Sequence, residues 1–371
     1  MQRRDFHKAA IAGVAGGGNL SLNLSKAAIT AAGQASYKGL GRPPMKWGIR
    51  HALQIRDLKP ETLQLAKQLG MEWVKFGPLP SYGPQEYRNA VQTVEAAQLK
   101  VAKISCGVHN RAEIVLNLPG RDEQIEAFKR HIRAAAAAGI RYHLYAHMAN
   151  SVWSGEPESG RGGAVCRAYD EAKPSRPGGF SHVESFERRY SEDELWENWR
   201  YFAKQIAPVA EETGVKIGVH PDDPPGLLLG NIPRPIFSSF EGYKRAIEIA
   251  DSPNIGMGLC VGCWLEGGPR MGRNVLETIE YFGSLKKLFV IHFRNVAAPL
   301  PHFRETYLNE GYMDMYKVMK ALRRVNFEGV LVGDHFSRMV AGAGGLAAQI
   351  YTVGYIQALI ERANEEILPA G

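Results

Sequence analysis

The chain of 371 residues is 45% hydrophobic, long for one ordinary domain but normal for a single α/β barrel with insertions. Its net charge of +7 comes from 45 basic against 38 acidic residues that interleave along the chain, so no basic stripe with aromatic spacing marks a nucleic-acid partner, while the small surplus suits an anionic small molecule. Four cysteines are too few for a disulfide framework, and no segment beyond the N-terminus has the 18 consecutive apolar residues of a membrane span, so stable membrane insertion is not expected.

The N-terminus reads M-Q-R-R-D-F-H-K and passes into a weakly apolar A-A-I-A-G-V-A-G-G-G. Arg3, Arg4, Phe6 and Lys8 stand where a twin-arginine export signal carries them, with His7 in place of the usual leucine. Residues 1–38 are therefore expected to be an export signal and linker, placing the protein in the periplasm, with a cut near Ala35. The alternative is a cytoplasmic protein with a disordered tail. Residues 39–371 read as one catalytic domain.

From Met45 onward, short β-branched runs alternate with amphipathic segments. Strands are expected at 46–50, 73–76, 100–105, 142–147, 216–220, 255–260, 288–293 and 329–333. Helical spacing falls at 59–69, 122–138, 192–213, 243–251, 275–282 and 313–325, with a closing helix at 345–367. Eight βα units predict a parallel sheet closed into a (β/α)8 TIM barrel. The stretch 148–191, rich in Gly, Ser and Pro, is a long loop on the rim after the fourth strand, where such loops shape pockets. The sequence leaves oligomeric state open, a homo-oligomer included.

Four successive strands end in groups able to bind a metal: His220 in G-V-H-P-D-D-P-P, Cys260 in I-G-M-G-L-C, His292 in V-I-H-F-R-N, and Asp334 in V-G-D-H. In a barrel the C-terminal ends of all strands meet at one rim, so these residues should converge on one ion. Two imidazoles, a thiolate and a carboxylate suit a divalent transition metal, and ligand softness favours zinc or iron. Cys260 and Cys263 form a C-V-G-C pair. A redox or disulfide role is the weaker reading, because Gly262 and the following G-G-P look like a loop rather than the opening of a helix.

Other residues near these strand ends offer chemistry. His335, beside Asp334, is the candidate general base. Arg294 and Arg234 could hold a substrate carboxylate, Arg294 in bidentate fashion. Asp222, with Asp223, could orient substrate hydroxyls or a ligand imidazole. His147 ends the fourth strand and points to the pocket by position. Tyr351 and Tyr355 are candidate proton donors.

H-P-D-D-P-P, then L-L-L-G-N-I-P-R-P at 227–235, D-S-P-N-I-G-M-G-L-C-V-G at 251–262, H-F-R-N at 292–295, F-R-E at 303–305, D-M-Y at 314–316 and G-D-H at 333–335 together resemble the mannonate dehydratase family. The agreement is ordered and covers about a third of the chain. The resemblance implies a xylose-isomerase-like barrel that binds Mn2+ or Fe2+ and dehydrates D-mannonate to 2-keto-3-deoxy-D-gluconate. It implies metal ligation by His220, Cys260, His292 and Asp334. The first half departs from the family: K-W-G-I-R-H and V-K-F-G-P-L-P replace its tryptophan-rich first strand and the histidine pair after the second, and V-G-C-W replaces T-G-S after Cys260. A sugar isomerase or epimerase on the same barrel, or an exported sugar-acid binding protein, are the competing readings.

Overall fold

The computed structural model describes residues 47–178, 185–340 and 344–367. The expected export segment lies outside the described residues, as does the start of the expected catalytic domain. Among the described residues no helix is long and apolar enough to cross a membrane.

Eight strands follow in chain order: β1 (Arg50–Gln54), β2 (Trp73–Phe76), β3 (Lys100–Ile104), β4 (Tyr142–Tyr145), β5 (Lys216–Val219), β6 (Ile255–Cys260), β7 (Leu288–His292) and β8 (Val330–Val332). They pair in the order β3-β2-β1-β8-β7-β6-β5-β4, every pairing parallel. Successive strands are thus neighbours, the arrangement that βα crossovers of one hand produce. β3 and β4 come together without a ladder, so the barrel is closed except for one seam.

The helices around it are α1 (Pro60–Gln68), α2 (Pro84–Ala96), α3 (Arg121–Ala137), α4 (Glu192–Thr213), α5 (Phe240–Ala250), α6 (Val275–Ser284), α7 (Met315–Arg324) and α8 (Gly344–Glu366). Their starts follow from local chemistry. Pro60 and Pro84 occupy first turns, where no backbone N–H is needed. Ser191 and Asn274 cap α4 and α6, with Glu194 and Glu277 bonding back. The inner helix faces bury Phe128, Trp199, Phe202, Tyr243 and Phe282 against the strands, each worth about 1.5–3 kcal/mol of transfer free energy. Inside the barrel a smaller set, Ala52, Ala102, Phe289, Val330 and Val332, packs with Leu144. The alternating glycines of β6 belong to this packing, since a β-carbon on Gly258 would collide with Leu144.

Two expectations are corrected. The first strand begins at Arg50 rather than at residue 46, because Trp47 and Ile49 are buried without joining the ladder; the Trp47 indole donates to the Phe327 carbonyl at 2.7 Å. α2 supplies the helix that the second βα unit requires, its buried Tyr87, Ala90 and Val94 marking one face. The C-V-G-C segment does open a helix, Val261–Gly267, with the Cys260 side chain accepting from the Cys263 N–H at its start. All four cysteines are free thiols.

The long stretch after β4 carries short antiparallel strands. Trp153–Ser154 pairs with Arg176–Pro177, and Glu158–Ser159 with Val165–Cys166. Ala168–Asp170 joins His302–Thr306, which pairs in turn with Asn295–Val296 after β7. Two rim loops are thereby tied into one sheet.

Candidate functional site

A cavity of about 430 Å3 opens at the C-terminal rim. His220, His292, Asp334 and His335 form part of its wall. Cys260 and His292 are direct partners on β6 and β7, so their side chains leave the barrel at one level. β8 ends at Val332, so Asp334 and His335 lie beyond the strand, and both line the cavity instead of facing opposite sides of a strand. The ligand atoms of His220, Cys260, His292 and Asp334 all lie within 4.8 Å of one another.

The donor chemistry suits a cation. The His220 Nδ1 lies 2.6 Å from the Pro221 carbonyl, a contact that takes the Nδ1 proton and leaves Nε2 as an electron-pair donor. Burial raises the Cys260 thiol, but contact with Cys263 and the Arg294 guanidinium outweigh it and hold the group well below its ordinary value. Burial also opposes ionisation of Asp334, yet His292 and His335 keep its carboxyl well below the usual range. The His292 Nδ1, 3.1 Å from Asp334 Oδ1, is buried without a hydrogen-bond partner. A buried nitrogen left unsatisfied beside a thiolate and a carboxylate is a donor set that fits a divalent metal.

Below this set lies a buried ionic cluster. Arg294 bonds Asp334 Oδ2 at 2.9 Å, Glu266 Oε1 at 2.6 Å, Asp223 Oδ2 at 3.0 Å and the Cys263 sulfur at 3.2 Å. Arg167, delivered by the long loop, bonds Glu266 at 3.0 Å, Glu305 at 3.2 Å and also Asp223. Asp223, Cys263 and Glu266 would themselves be close enough to hold an ion, but the Arg294 guanidinium already takes all three. Burial pushes Glu266 up to about 8 despite Arg294. His335 is partly exposed and its Nδ1 lies 2.8 Å from Glu305 Oε1. Burial pulls its pKa down, but Asp334 and Glu305 raise it to about 9 in the metal-free protein.

Four expected substrate contacts do not line this cavity. Arg294 has its guanidinium committed to protein acids and is 3% exposed. Arg234 is buried, donating to Asn150 Oδ1 at 3.1 Å and to the Asp223 carbonyl at 3.0 Å. Asp222 turns to Ser238 Oγ at 2.9 Å, while its neighbour Asp223 faces the cavity. His147 lies among Trp199, Phe202 and Phe237, where burial lowers its pKa to about 3. Tyr351 and Tyr355 stack beside Tyr307, away from the cavity wall.

In their place the cavity shows Lys75 from β2, Lys103 from β3, His109 and Asn110 beyond β3, and Arg167. The charged residue in each of the runs W-V-K-F and V-A-K-I was the available signal, since a lysine inside a buried strand needs a reason. Arg167 lies in an irregular segment and carried no comparable mark.

Known proteins agree with this architecture. The family described as D-mannonate dehydratase (UxuA) matches residues 178–367. A mannonate dehydratase of Streptococcus pneumoniae is 34% identical over 272 residues, covering 67% of this chain and 72% of the relative. One from Thermotoga neapolitana is 32% identical over 290 residues, covering 70% and 78%. The crystal structure of mannonate dehydratase from Streptococcus suis superposes with a TM-score of 0.74 at 27% identity, over 86% of this chain and 95% of that one. An L-ribulose 3-epimerase structure, at 15% identity and a TM-score of 0.54 over 85% and 96%, shares the xylose-isomerase-like barrel and shows the fold alone. On these grounds the chain belongs to the mannonate dehydratase family.

Proposed function

We propose that this protein is a metal-dependent hydro-lyase that removes water from D-mannonate or a close relative, giving a 2-keto-3-deoxy sugar acid. The observation that carries the reading is the convergence of two imidazoles, one thiolate and one carboxylate at the rim cavity in a chain of this family. His220, Cys260, His292 and Asp334 would hold the ion. The family resemblance favours Mn2+ or Fe2+, and the thiolate also suits Zn2+. A divalent ion there would supply the positive charge that acidifies a proton next to a carboxylate and steadies a departing hydroxyl.

The protein's own groups then have definite work. Dehydration takes the proton from C2 and expels the C3 hydroxyl as water; the enol left behind becomes the 2-keto acid. With its Nδ1–H donated to Glu305, His335 presents Nε2 to the cavity as the proton acceptor. In the metal-free protein that nitrogen stays protonated at neutral pH, because Asp334 and Glu305 stabilise the cation. A cation shared with Asp334 would cancel part of that field and bring His335 toward neutrality, where a base is useful. Arg294 and Arg167 keep the acids beneath the site fixed in place, so they act as positioning residues.

We also propose export by the twin-arginine route, on the strength of Arg3, Arg4, Phe6 and Lys8. A folded protein could then carry its metal out of the cytoplasm.

Incubating purified protein with D-mannonate, with and without added Mn2+, tests the activity. Metal-stimulated release of a 2-keto acid is expected. A ketose or epimer in its place would indicate an isomerase, and binding without turnover a binding protein; either would overturn the reading.

A further inference from the structure

Lys75 and Lys103 are direct cross-strand partners on β2 and β3, at the point where that ladder shifts register. Like charges placed opposite one another repel, and burying them adds a desolvation cost. Lys75 donates to Gln54 Oε1 at 2.7 Å. Lys103 is 3% exposed and makes no hydrogen bond or ion pair among the described residues. The acids lining the same cavity are Asp223 and Asp334, and both are already paired with arginine. Two adjacent amines, Lys103 buried and Lys75 half-buried, thus face a cavity whose acid Asp334 attracts both but is already paired with Arg294.

The strand order places them. Around the barrel β2 and β3 stand three or four strands from β6 and β7, on the opposite wall from Cys260 and His292. A sugar acid whose reacting end sits at the His220–Cys260–His292–Asp334 set must extend its carbon chain toward that far wall. Neither Arg294 nor Arg234 reaches the cavity, so Lys75 and Lys103 are the cations there not already bound to protein acids.

We propose that the Lys75–Lys103 pair binds a second anionic group at the far end of the substrate, making the preferred substrate a doubly acidic sugar acid. This rests on the dehydratase reading above, which sets the reacting end at the metal-ligand set. A terminal carboxylate and a terminal phosphate share the required chemistry, an oxyanion able to accept from two ammonium groups. Burial drives both amines below the ordinary lysine value, Lys75 to about 8 and Lys103 well below the ordinary value. An arriving anion restores the charged form, so binding at neutral pH should draw a proton from solution.

The test compares D-mannonate, the corresponding hexarate and the corresponding 6-phosphohexonate on the full-length, metal-loaded protein. kcat/KM is read from 2-keto acid release, and affinity from calorimetry in two buffers of different ionisation enthalpy. At least one doubly charged acid should bind about tenfold or more tightly than mannonate, with proton uptake. Which of the two gains identifies the terminal group. Lys103→Met and Lys75→Met should erase that preference while metal content stays at the wild-type level; Lys103→Gln and Lys75→Gln serve if a methionine variant folds poorly. Equal or tighter binding of mannonate by the wild type overturns the proposal. So does a preference that survives the substitutions, or a loss of mannonate affinity as large as the loss for the doubly charged acid, since the pair would then hold the single carboxylate. If no acid is turned over but the lysine-dependent preference is measured, the dehydratase reading fails and the anion site stands.

Discussion

Gly262 and Arg294 share one volume: a β-carbon on the glycine would collide with the arginine side chain. The absent side chain in C-V-G-C thus lets Arg294 pass under the short helix Val261–Gly267 and reach Asp334, Glu266 and Asp223 together. Gly262→Ala should displace the guanidinium and leave those buried acids short of a partner. Stability should fall by about 1–3 kcal/mol from overpacking, more if an acid is left unpaired. Metal affinity should fall with it, because Asp334 loses the bond that orients it. Urea unfolding and metal titration of the variant measure both, and wild-type values in each would contradict this account.

The adjacent pair Asp334 and His335 has divided duties in the proposed chemistry. His335→Asn should keep the metal and the fold while kcat drops by about 10² or more, the usual cost of a lost general base. Asp334→Asn should weaken metal binding itself. Metal analysis beside kinetics distinguishes them. Loss of metal in the His335 variant would make that residue structural, and near-normal turnover would move the base to another group.

Acid should destabilise the protein well before its carboxylates titrate. Burial lowers His51, His131 and His147 to about 3 in the folded state, against about 6.5 for an unfolded histidine. The unfolded chain therefore binds more protons between these values, so stability present above pH 6.5 is lost as pH falls toward 3. Each site costs roughly 1.4 kcal/mol per pH unit in that window, and three together roughly 4. His335 works in the opposite sense: raised to about 9 in the metal-free protein, it gives stability that is complete below pH 6.5 and lost as pH rises through 9. Maximum stability of the metal-free protein is expected near pH 6.5–7. Urea midpoints at pH 7, 6, 5 and 4 should fall steeply, and a flat series down to pH 4.5 would contradict the burial of these imidazoles.

The second half of the barrel was legible because each strand there is an uninterrupted apolar run that stops at a polar residue. β6 was located residue for residue, and β5, β7 and β8 to within one or two positions at their ends. β1 was misplaced because burial and strand pairing are separate conditions, and Trp47 meets just the first. At the site, the positions of His220, Cys260, His292 and Asp334 followed from topology alone. The partners of charged side chains did not. An arginine two residues past a strand-end histidine looks the same whether it faces a substrate acid or a protein acid, and Arg294 faces four of the latter. His147 stands at a strand end, although Trp199 and Phe202 of α4 pack around it from the helix layer. Lys75 and Lys103 escaped notice because their significance lies in being side by side, which requires the register of β2 against β3.

The sheet that joins residues 168–170 to residues 302–306 makes the two rim loops one mechanical part. It also carries Arg167 to Glu266 and Glu305, so the loop after β4 holds a charge that acids from β6 and β7 connections require. Anyone grafting this rim onto another barrel, or shortening one loop to widen the mouth, would have to move both segments as a cassette. Lineages that exchange one loop without the other would strand a buried arginine or a buried pair of acids, and insertions here should therefore be inherited in pairs.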